Sequence, residues 1–244
     1  MTETSLNGWV TIPTASSPEL ANGVIPGTTR RVTTQRDCLP LFLAFYADWH
    51  RTVHSIDYKG ALGPDGWEYR QARAANGFSN HASGTAVDVT YDWLKADHAR
   101  HMSPGQILAV HRLLDKYVDV SGRRVFGWGG DWTVGTYCDE MHTELAQSWA
   151  PGARGRSTTK TDVLAVIKHL GIHPDGTTAS AVKTANVTGR TPLSASQIAA
   201  QLGCSVARVL VRNPWLAVRK AAPGAVVRLP NGVAPVPLYA GPRV

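Results

Sequence analysis

Two short stretches of the 244-residue chain combine residue types that bind metal ions. Residues 79–88 read S-x-H-x-x-G-x-A-x-D, which places His81 and Asp88 on either side of a glycine. Further along, a D-x-x-H segment runs from Asp139 to His142. Zinc binds nitrogen and oxygen ligands of these types, and a catalytic zinc keeps three protein ligands and an open position for water. We therefore predict that His81, Asp88 and His142 hold a zinc ion, Zn2+.

A thiol nucleophile is the alternative for the second stretch. Cys138 precedes His142 by four positions, and a histidine can act as the base that activates a cysteine. That assignment leaves His81 and Asp88 without a role, so the metal site is the better interpretation. The chain has three widely spaced cysteines, which predict no disulfide framework.

Three helices are predicted from apolar spacing and terminal residues. The first covers residues 37–53, where apolar residues recur every four positions and Asp37 is a plausible cap. The second begins at Ser103, because serine caps a helix and the proline after it suits the first helical position. Residues 161–170 form the third helix, which ends at a glycine.

The strands expected beside these helices are short. Residues 86–91 alternate in a strand-like way that turns Asp88 away from Val87 and Val89, and a buried carboxylate is costly unless it is paired or bound to metal. Residues 66–70 also look like a short strand. The predicted fold class is α+β, with a small antiparallel sheet and flanking helices that hold the zinc site.

Four motifs in the same order resemble one known family. They are W-E-Y-R at residues 67–70, the S-x-H-x-x-G-x-A-x-D run, W-G-G-D-W at residues 128–132, and the D-x-x-H ending at His142. Together they resemble the zinc D-Ala-D-Ala carboxypeptidase and L-alanyl-D-glutamate endopeptidase (VanY-like) family. That family cleaves the stem peptides of peptidoglycan and includes many phage endolysins. The resemblance covers residues 44–149.

The resemblance implies roles for residues beside the metal. Asp139 takes the place of the acidic residue that activates the zinc-bound water and passes its proton to the leaving amine. On a regular strand Glu140, rather than Asp139, would share a face with His142, so Glu140 stays open as the base. Arg70 matches an arginine that holds the substrate carbonyl, and a permanent cation suits an oxyanion. Glu144 is expected to support His142 from behind.

The charge of the chain is unevenly divided. Residues 1–150 carry 13 Lys and Arg against 16 Asp and Glu, whereas residues 151–244 carry 12 against 2. Such an asymmetry predicts two domains with different partners. We expect an extended lead-in over residues 1–34, a zinc peptidase domain over residues 35–150, and a linker with a short helix over residues 151–188.

The remaining segment, residues 189–244, resembles a LysM peptidoglycan-binding module. The resemblance rests on Leu202-Gly203, Asn213-Pro214-Trp215 and Pro223-Gly224, and it implies a βααβ domain. Residues 198–206 also resemble the first half of a helix-turn-helix, which would bind DNA. Wall binding is the better interpretation because it shares a substrate with the peptidase domain.

The resulting hypothesis is a zinc-dependent endolysin that hydrolyses an amide of the stem peptide, either the L-Ala–D-Glu bond or a cross-link. The alternatives are a D-Ala-D-Ala carboxypeptidase and a non-catalytic wall-binding protein. We expect peptidoglycan as the partner, no nucleic acid, no membrane and a monomer. No secretory signal or long apolar run is evident. The expected route is synthesis in a host cytoplasm and action at the wall after release.

Overall fold

The structure is a computed structural model that divides into two compact units, Met1–Ala179 and Ser180–Val244. It describes residues 2–73, 75–97, 99–132, 138–178, 184–189, 194–202, 209, 226–228 and 238–240. In chain order, the first unit contains β1 (Leu20–Val24), β2 (Arg31–Gln35), α1 (Leu39–Thr52), β3 (Ala86–Asp88), β4 (Ala96–Asp97), α2 (Pro104–Lys116), β5 (Phe126–Trp128), β6 (Cys138–Asp139), β7 (His142–Leu145) and α3 (Lys160–Leu170). No helix in the described ranges is long and apolar enough to cross a membrane.

Helix α1 forms the centre of the first unit. Every residue from Leu39 to Trp49 except Pro40 is buried, so water reaches almost none of the helix before its last turn. Phe45 packs against Phe126 of β5 with ring centroids 4.4 Å apart. The predicted apolar stripe is therefore confirmed as core, although the whole circumference of the helix is covered rather than one stripe. The helix begins at Leu39, and Asp37 forms an ion pair with Lys160 instead of capping it.

A three-stranded antiparallel sheet lies against this helix in the order β3-β7-β5. Strand β7 is central, which puts His142 directly opposite Asp88 and Glu144 opposite Ala86. The hydroxyl of Tyr46, on α1, donates to the carbonyl of Val87 at 2.9 Å and ties the sheet to the helix. Strand β3 is shorter than predicted because Thr90 has φ of 52° and turns the chain out of the sheet.

Residues 2–35 are more ordered than the predicted lead-in. Strands β1 and β2 form an antiparallel hairpin, with Leu20 opposite Gln35, and both contact α1. Before the hairpin, Ile12 donates its backbone N–H to Ala82 at 2.7 Å. The segment lacks strong periodicity because much of its pairing is with loops rather than with a regular sheet.

Two further elements depart from their predicted form or place. Residues 66–70 are not a strand. An added Cβ on Gly66 would lie 2.0 Å from the carbonyl oxygen of Thr33, so the chain passes close to β2 at this glycine instead of pairing along a strand. Helix α3 packs into the core of the first unit through Val163, Val166 and Leu170, although the sequence placed it in a linker.

Helix α2 matches its prediction at the start. Ser103 accepts a hydrogen bond from the N–H of Gln106, and the side chain of Gln106 accepts from Ser103 in return, which completes a capping box. Strand β4 pairs antiparallel with β6 next to the sheet, with Ala96 opposite Asp139.

The second unit contains β8 (Thr184–Gly189), α4 (Ala195–Leu202), β9 (Val226–Arg228) and β10 (Leu238–Ala240). Strand β8 pairs antiparallel with β9 and parallel with β10. The βααβ prediction did not include β10. The residues that carry the LysM resemblance after Leu202 lie outside the described ranges, so the LysM assignment stays a prediction.

Candidate metal centre

His81 is held in a short turn of residues 80–83, whose two ends are built by its neighbours. Ser79 lies at the N-terminal end, where its hydroxyl accepts from the N–H of His81 at 3.3 Å. Gly84 ends the turn with φ of 66°, a conformation that favours glycine. An added Cβ on Gly84 would also lie 2.4 Å from the backbone nitrogen of Gln35. The glycine of the S-x-H-x-x-G motif is therefore required both for its φ and for its close contact with the end of β2.

His81, Asp88 and His142 meet at one point. Nδ1 of His142 lies 2.8 Å from Oδ1 of Asp88, and Nε2 of His81 lies 3.3 Å from each of these two atoms. The antiparallel register explains the Asp88–His142 pair, because directly opposed residues of neighbouring strands have adjacent side chains. The three predicted ligands thus form a compact group that could hold a metal ion.

The hydrogen bonds on the far sides of the imidazoles decide which nitrogens face that point. Nδ1–H of His81 donates to the carbonyl of Gly66 at 2.5 Å, which leaves Nε2 as an electron-pair donor. Nε2–H of His142 donates to the carboxylate of Glu144 at 3.0 Å. A single proton shared by Nδ1 of His142 and Oδ1 of Asp88 would leave Nε2 of His81 without a donor. A metal cation would instead accept an electron pair from all three atoms. The residues therefore fit a metal, with each histidine held from behind as in established metal sites.

The electrostatic surroundings favour positive charge at this point. Burial lowers the pKa of His142, but Asp88 and Glu144 outweigh it and raise that pKa well above its ordinary value. Burial raises the pKa of Asp88, yet the charges of His81 and His142 bring it below its ordinary value. The site thus stabilises ionised carboxylates beside a positive charge, which a divalent cation supplies more fully than a proton.

Glu144 is buried and has all its oxygens occupied. Oε2 accepts from Nε2 of His142 and from the amide of Asn80 at 2.6 Å, while Oε1 accepts from the amide of Gln147 at 2.8 Å. Burial raises the pKa of Glu144, but these hydrogen bonds and the charge of His142 lower it below its ordinary value. The support that the sequence predicted for His142 is present, and Asn80 and Gln147 are partners that the sequence did not indicate.

Segment 5–12, near the start of the chain, also supports Glu144 by orienting its partner Asn80. The backbone N–H of Asn7 donates to the amide oxygen of Asn80 at 2.9 Å, and the side chain of Asn7 donates to Thr85 and to the carbonyl of Leu145. Asn80 is thereby oriented so that its amide nitrogen faces Glu144. No motif in the sequence pointed to Asn7.

Asp139 and Glu140 differ in their surroundings. Glu140 is fully buried and accepts from the backbone N–H groups of His101 and Met102 at 2.7 and 2.8 Å. Asp139 lines the same cleft as His142. It packs against Gly129, where an added Cβ would lie 2.3 Å from the carbonyl of Asp139. The tryptophan-glycine block therefore fixes the backbone of Asp139.

Arg70 lies in the wall of the cleft. Its Nε is 2.6 Å from the carboxylate of Glu68, and Nη1 donates to the carbonyl of Gln71. In the described part of the chain, the hydrogen bonds of its guanidinium therefore go to neighbours in sequence rather than to the triad. The structure brings Arg70 to the cleft without placing it on the metal ligands.

Cys138 does not suit a nucleophile. It is buried on β6, opposite Asp97, and burial raises the pKa of its thiol above the ordinary value. A raised pKa keeps the thiol protonated, whereas the thiolate is the reactive form. The thiol interpretation of the second stretch is therefore not supported.

The cleft above the triad has a volume of about 410 Å³. Its lining includes Asp88, His142 and Asp139, and two tryptophans stand in the wall beyond them. The ring of Trp132 lies 5.3 Å from that of His142, and the ring of Trp149 lies 6.3 Å from that of Trp132. A concave site with convergent polar groups and aromatic walls is typical of ligand binding.

A family model described as D-alanyl-D-alanine carboxypeptidase matches residues 72–145. The matched range contains the three ligand candidates and Asp139, and it covers less than a third of the chain. Comparison with curated proteins and with solved structures gave no match. The match supports the family resemblance of the first unit and, together with the His-Asp-His group, a metal-dependent peptidase.

Proposed function

We propose that the first unit is a zinc-dependent peptidase that hydrolyses an amide bond in the stem peptide of peptidoglycan. The observation that carries the proposal is the convergence of His81, Asp88 and His142 within 2.8–3.3 Å of one another, each histidine directed by an acceptor behind it. Two nitrogens and one oxygen are a donor set that zinc uses in catalytic sites. When bound, zinc lowers the pKa of a coordinated water and polarises a carbonyl.

Asp139 is proposed as the general base and acid. A carboxylate at the cleft wall accepts a proton from the attacking water and delivers it to the nitrogen of the leaving amine. Glu140 is less suited to this role, because its Oε2 already accepts two backbone N–H groups and its Oε1 lies 3.4 Å from Nη1 of Arg100. Glu140 instead anchors the chain that leads into α2.

Arg70 is proposed to bind the substrate carbonyl and to stabilise the oxyanion that forms from it. Its guanidinium offers five donors, of which Nε and Nη1 are engaged by Glu68 and Gln71. The remaining donors are available to a substrate without breaking the pair with Glu68. Preorganised donors of this kind contribute about 3–4 kcal/mol to transition-state stabilisation.

We favour an endopeptidase that cuts either the L-Ala–D-Glu bond or a cross-link. The second unit, where most of the basic excess lies, is proposed as a LysM-like module that binds the wall and directs the enzyme to intact polymer. Removal of terminal D-Ala is the second candidate, and the description of the matching family model favours it. As an endolysin, the protein would be made in a host cytoplasm and act at the wall after release.

The decisive experiment is digestion of purified peptidoglycan with and without a chelator, followed by mass spectrometry of the peptides. New internal amino termini that disappear with chelator indicate an endopeptidase and identify its bond, whereas loss of terminal D-Ala alone indicates a carboxypeptidase. His142→Ala should abolish either product. A chelator-treated protein or a His142→Ala variant that still cleaves would refute the metal mechanism, and absence of cleavage under all conditions would favour a non-catalytic wall-binding protein.

A matched pair of variants tests the base. Asp139→Asn should lower kcat at least about a hundredfold, the scale of general acid-base catalysis. It should leave the zinc affinity unchanged, because Asp139 is not one of the three ligands. Glu140→Gln should mainly lower stability. The opposite pattern would transfer the catalytic role to Glu140.

Deletion of residues 180–244 removes the second unit and tests its role. Cleavage of a soluble peptide should be retained, whereas sedimentation of the protein with intact walls should be lost. Wall binding that persists after the deletion would refute this role.

A further inference from the structure

Trp149 is a large aromatic side chain with 57% of its surface open to solvent. It follows β7 closely and lines the same cleft as His142. A single exposed apolar side chain is common on protein surfaces and by itself indicates nothing. The way this indole is held, and its distance from the triad, make it informative.

The indole of Trp149 is fixed through the support of the metal site. Its Nε1–H donates to the side-chain oxygen of Gln147 at 3.1 Å, and the amide of Gln147 donates to Glu144 at 2.8 Å. Glu144 in turn accepts from His142. The polar atom of the indole is therefore satisfied within the protein, and its apolar ring is the part that faces the cleft. A ring ordered before binding loses little conformational entropy when a ligand packs on it.

The spacing of the aromatic rings limits how far Trp149 lies from His142. The centroid of Trp132 lies 5.3 Å from that of His142 and 6.3 Å from that of Trp149, so the exposed indole lies no further from His142 than these two steps combined. An extended chain covers about 3.3–3.6 Å per residue, so this interval accommodates about three residues at most. A group that packs on Trp149 while an amide lies at the triad is therefore only a few residue lengths from that amide.

This reach distinguishes the amide bonds of a stem peptide. The sugar that carries the stem is joined to its first amino acid through a short lactyl group, so the amide after that amino acid lies about two residue lengths from the sugar ring. The terminal D-Ala–D-Ala bond and the cross-link lie several residues further along. Of these bonds, the first brings the sugar closest to Trp149.

We propose that the indole of Trp149 packs against the ring of the amino sugar that bears the stem peptide, which places the amide after the first amino acid at the triad. The inference rests on the proposed peptidase function and makes it more specific. The apolar C–H face of a sugar ring suits a flat indole, and the other face of the ring and its N-acetyl group remain in water. Trp149 is thus a specificity residue for peptide that is still attached to glycan.

The test compares two soluble substrates, a disaccharide-linked stem peptide and the same peptide without the sugars. Soluble substrates avoid any contribution from wall binding. Trp149→Ala should lower kcat/KM about tenfold more on the sugar-linked peptide than on the free peptide, which is the scale of a well-packed aromatic contact. Trp149→Phe keeps a ring without the N–H and should retain most of the activity. Val120→Ala, at an exposed apolar residue outside the cleft lining, is the control.

An equal loss on both substrates would overturn the inference, because it would mean that Trp149 acts only through Gln147 and Glu144. Unchanged activity on both substrates would overturn it as well. A wild-type protein that cleaves neither substrate would refute the proposed function instead. In that case titration with the disaccharide-peptide, followed by tryptophan fluorescence, still tests Trp149, and equal affinity of wild type and Trp149→Ala would refute sugar binding.

Discussion

The carboxylate of Glu144 offers the sharpest test of the metal centre, because it touches the proposed ligand His142 without being a ligand itself. Glu144→Gln keeps the size of the side chain and removes its charge. One oxygen can still accept from His142 and Asn80, as Oε2 does now. The new amide nitrogen then faces Gln147, whose own amide must rotate to present its oxygen.

The expected loss is one of metal affinity rather than of folding. An uncharged acceptor makes the imidazole of His142 a poorer donor of electron density to a cation. Replacing such an outer partner lowers metal affinity about 10–100-fold, which corresponds to about 1.4–2.8 kcal/mol. The apo variant should remain folded, because Asn80 keeps its acceptor and Gln147 regains a partner by rotating, although the rotation releases the indole N–H of the exposed Trp149 to solvent.

Zinc affinity is measured by competition with a chromophoric chelator, and thermal unfolding of the apo protein reports on the fold. Glu19→Gln makes the same chemical change at an exposed position and should alter neither quantity. A folded Glu144→Gln variant that binds zinc within about twofold of wild type would refute the account of the site.

Two further substitutions test the scaffold by chemical denaturation. Gly84→Ala should lower the free energy of unfolding by about 3 kcal/mol, because φ is 66° and the new Cβ would lie 2.4 Å from the backbone nitrogen of Gln35. Gly155→Ala is the control, because Gly155 has φ of 74° with open space around it, and this change should cost only about 1 kcal/mol. Equal costs would contradict the close contact at Gly84. Burial raises the pKa of Asp162, but hydrogen bonds from Arg156 and Thr159 and the charge of Arg123 lower it below its ordinary value. The ionised carboxylate of Asp162 therefore contributes fully to the stability of the fold above about pH 4, and this contribution is lost as the pH falls through the lowered pKa. Asp162→Asn should cost about 3 kcal/mol at pH 7 and flatten the decline of stability below pH 4, and an unchanged acid profile would contradict this.

The three candidate metal ligands could be found in the sequence because their signal is local. His81 and Asp88 share a ten-residue motif, and His142 lies in the strand that pairs with Asp88. Histidine and aspartate are also residue types whose presence in a glycine-rich turn calls for an explanation. The start of α2 at Ser103 is readable for a similar reason, since all partners of the capping box lie within one turn.

The residues that hold those ligands in place could not be predicted from the sequence in the same way. Gly66 acts through its backbone carbonyl, which every residue has, and only the fold brings it to His81. Asn80 and Gln147 are amides whose partner, Glu144, depends on contacts between separate loops. The apolar stripe of α3 indicated a helix without indicating what it packs against.

The contacts of segment 5–12 also have a consequence for biosynthesis. Asn7 donates to the carbonyl of Leu145, and the indole of Trp9 donates to the carbonyl of Thr158 at 2.8 Å. Contacts so distant along the chain raise the contact order and close only after the later residue has been translated. A nascent chain that ends before Thr158 therefore cannot dock this segment. The proposed active site therefore stays incomplete until Thr158 has been synthesised and has left the ribosome, so the proposed hydrolytic activity would arise only near the end of synthesis of the first unit.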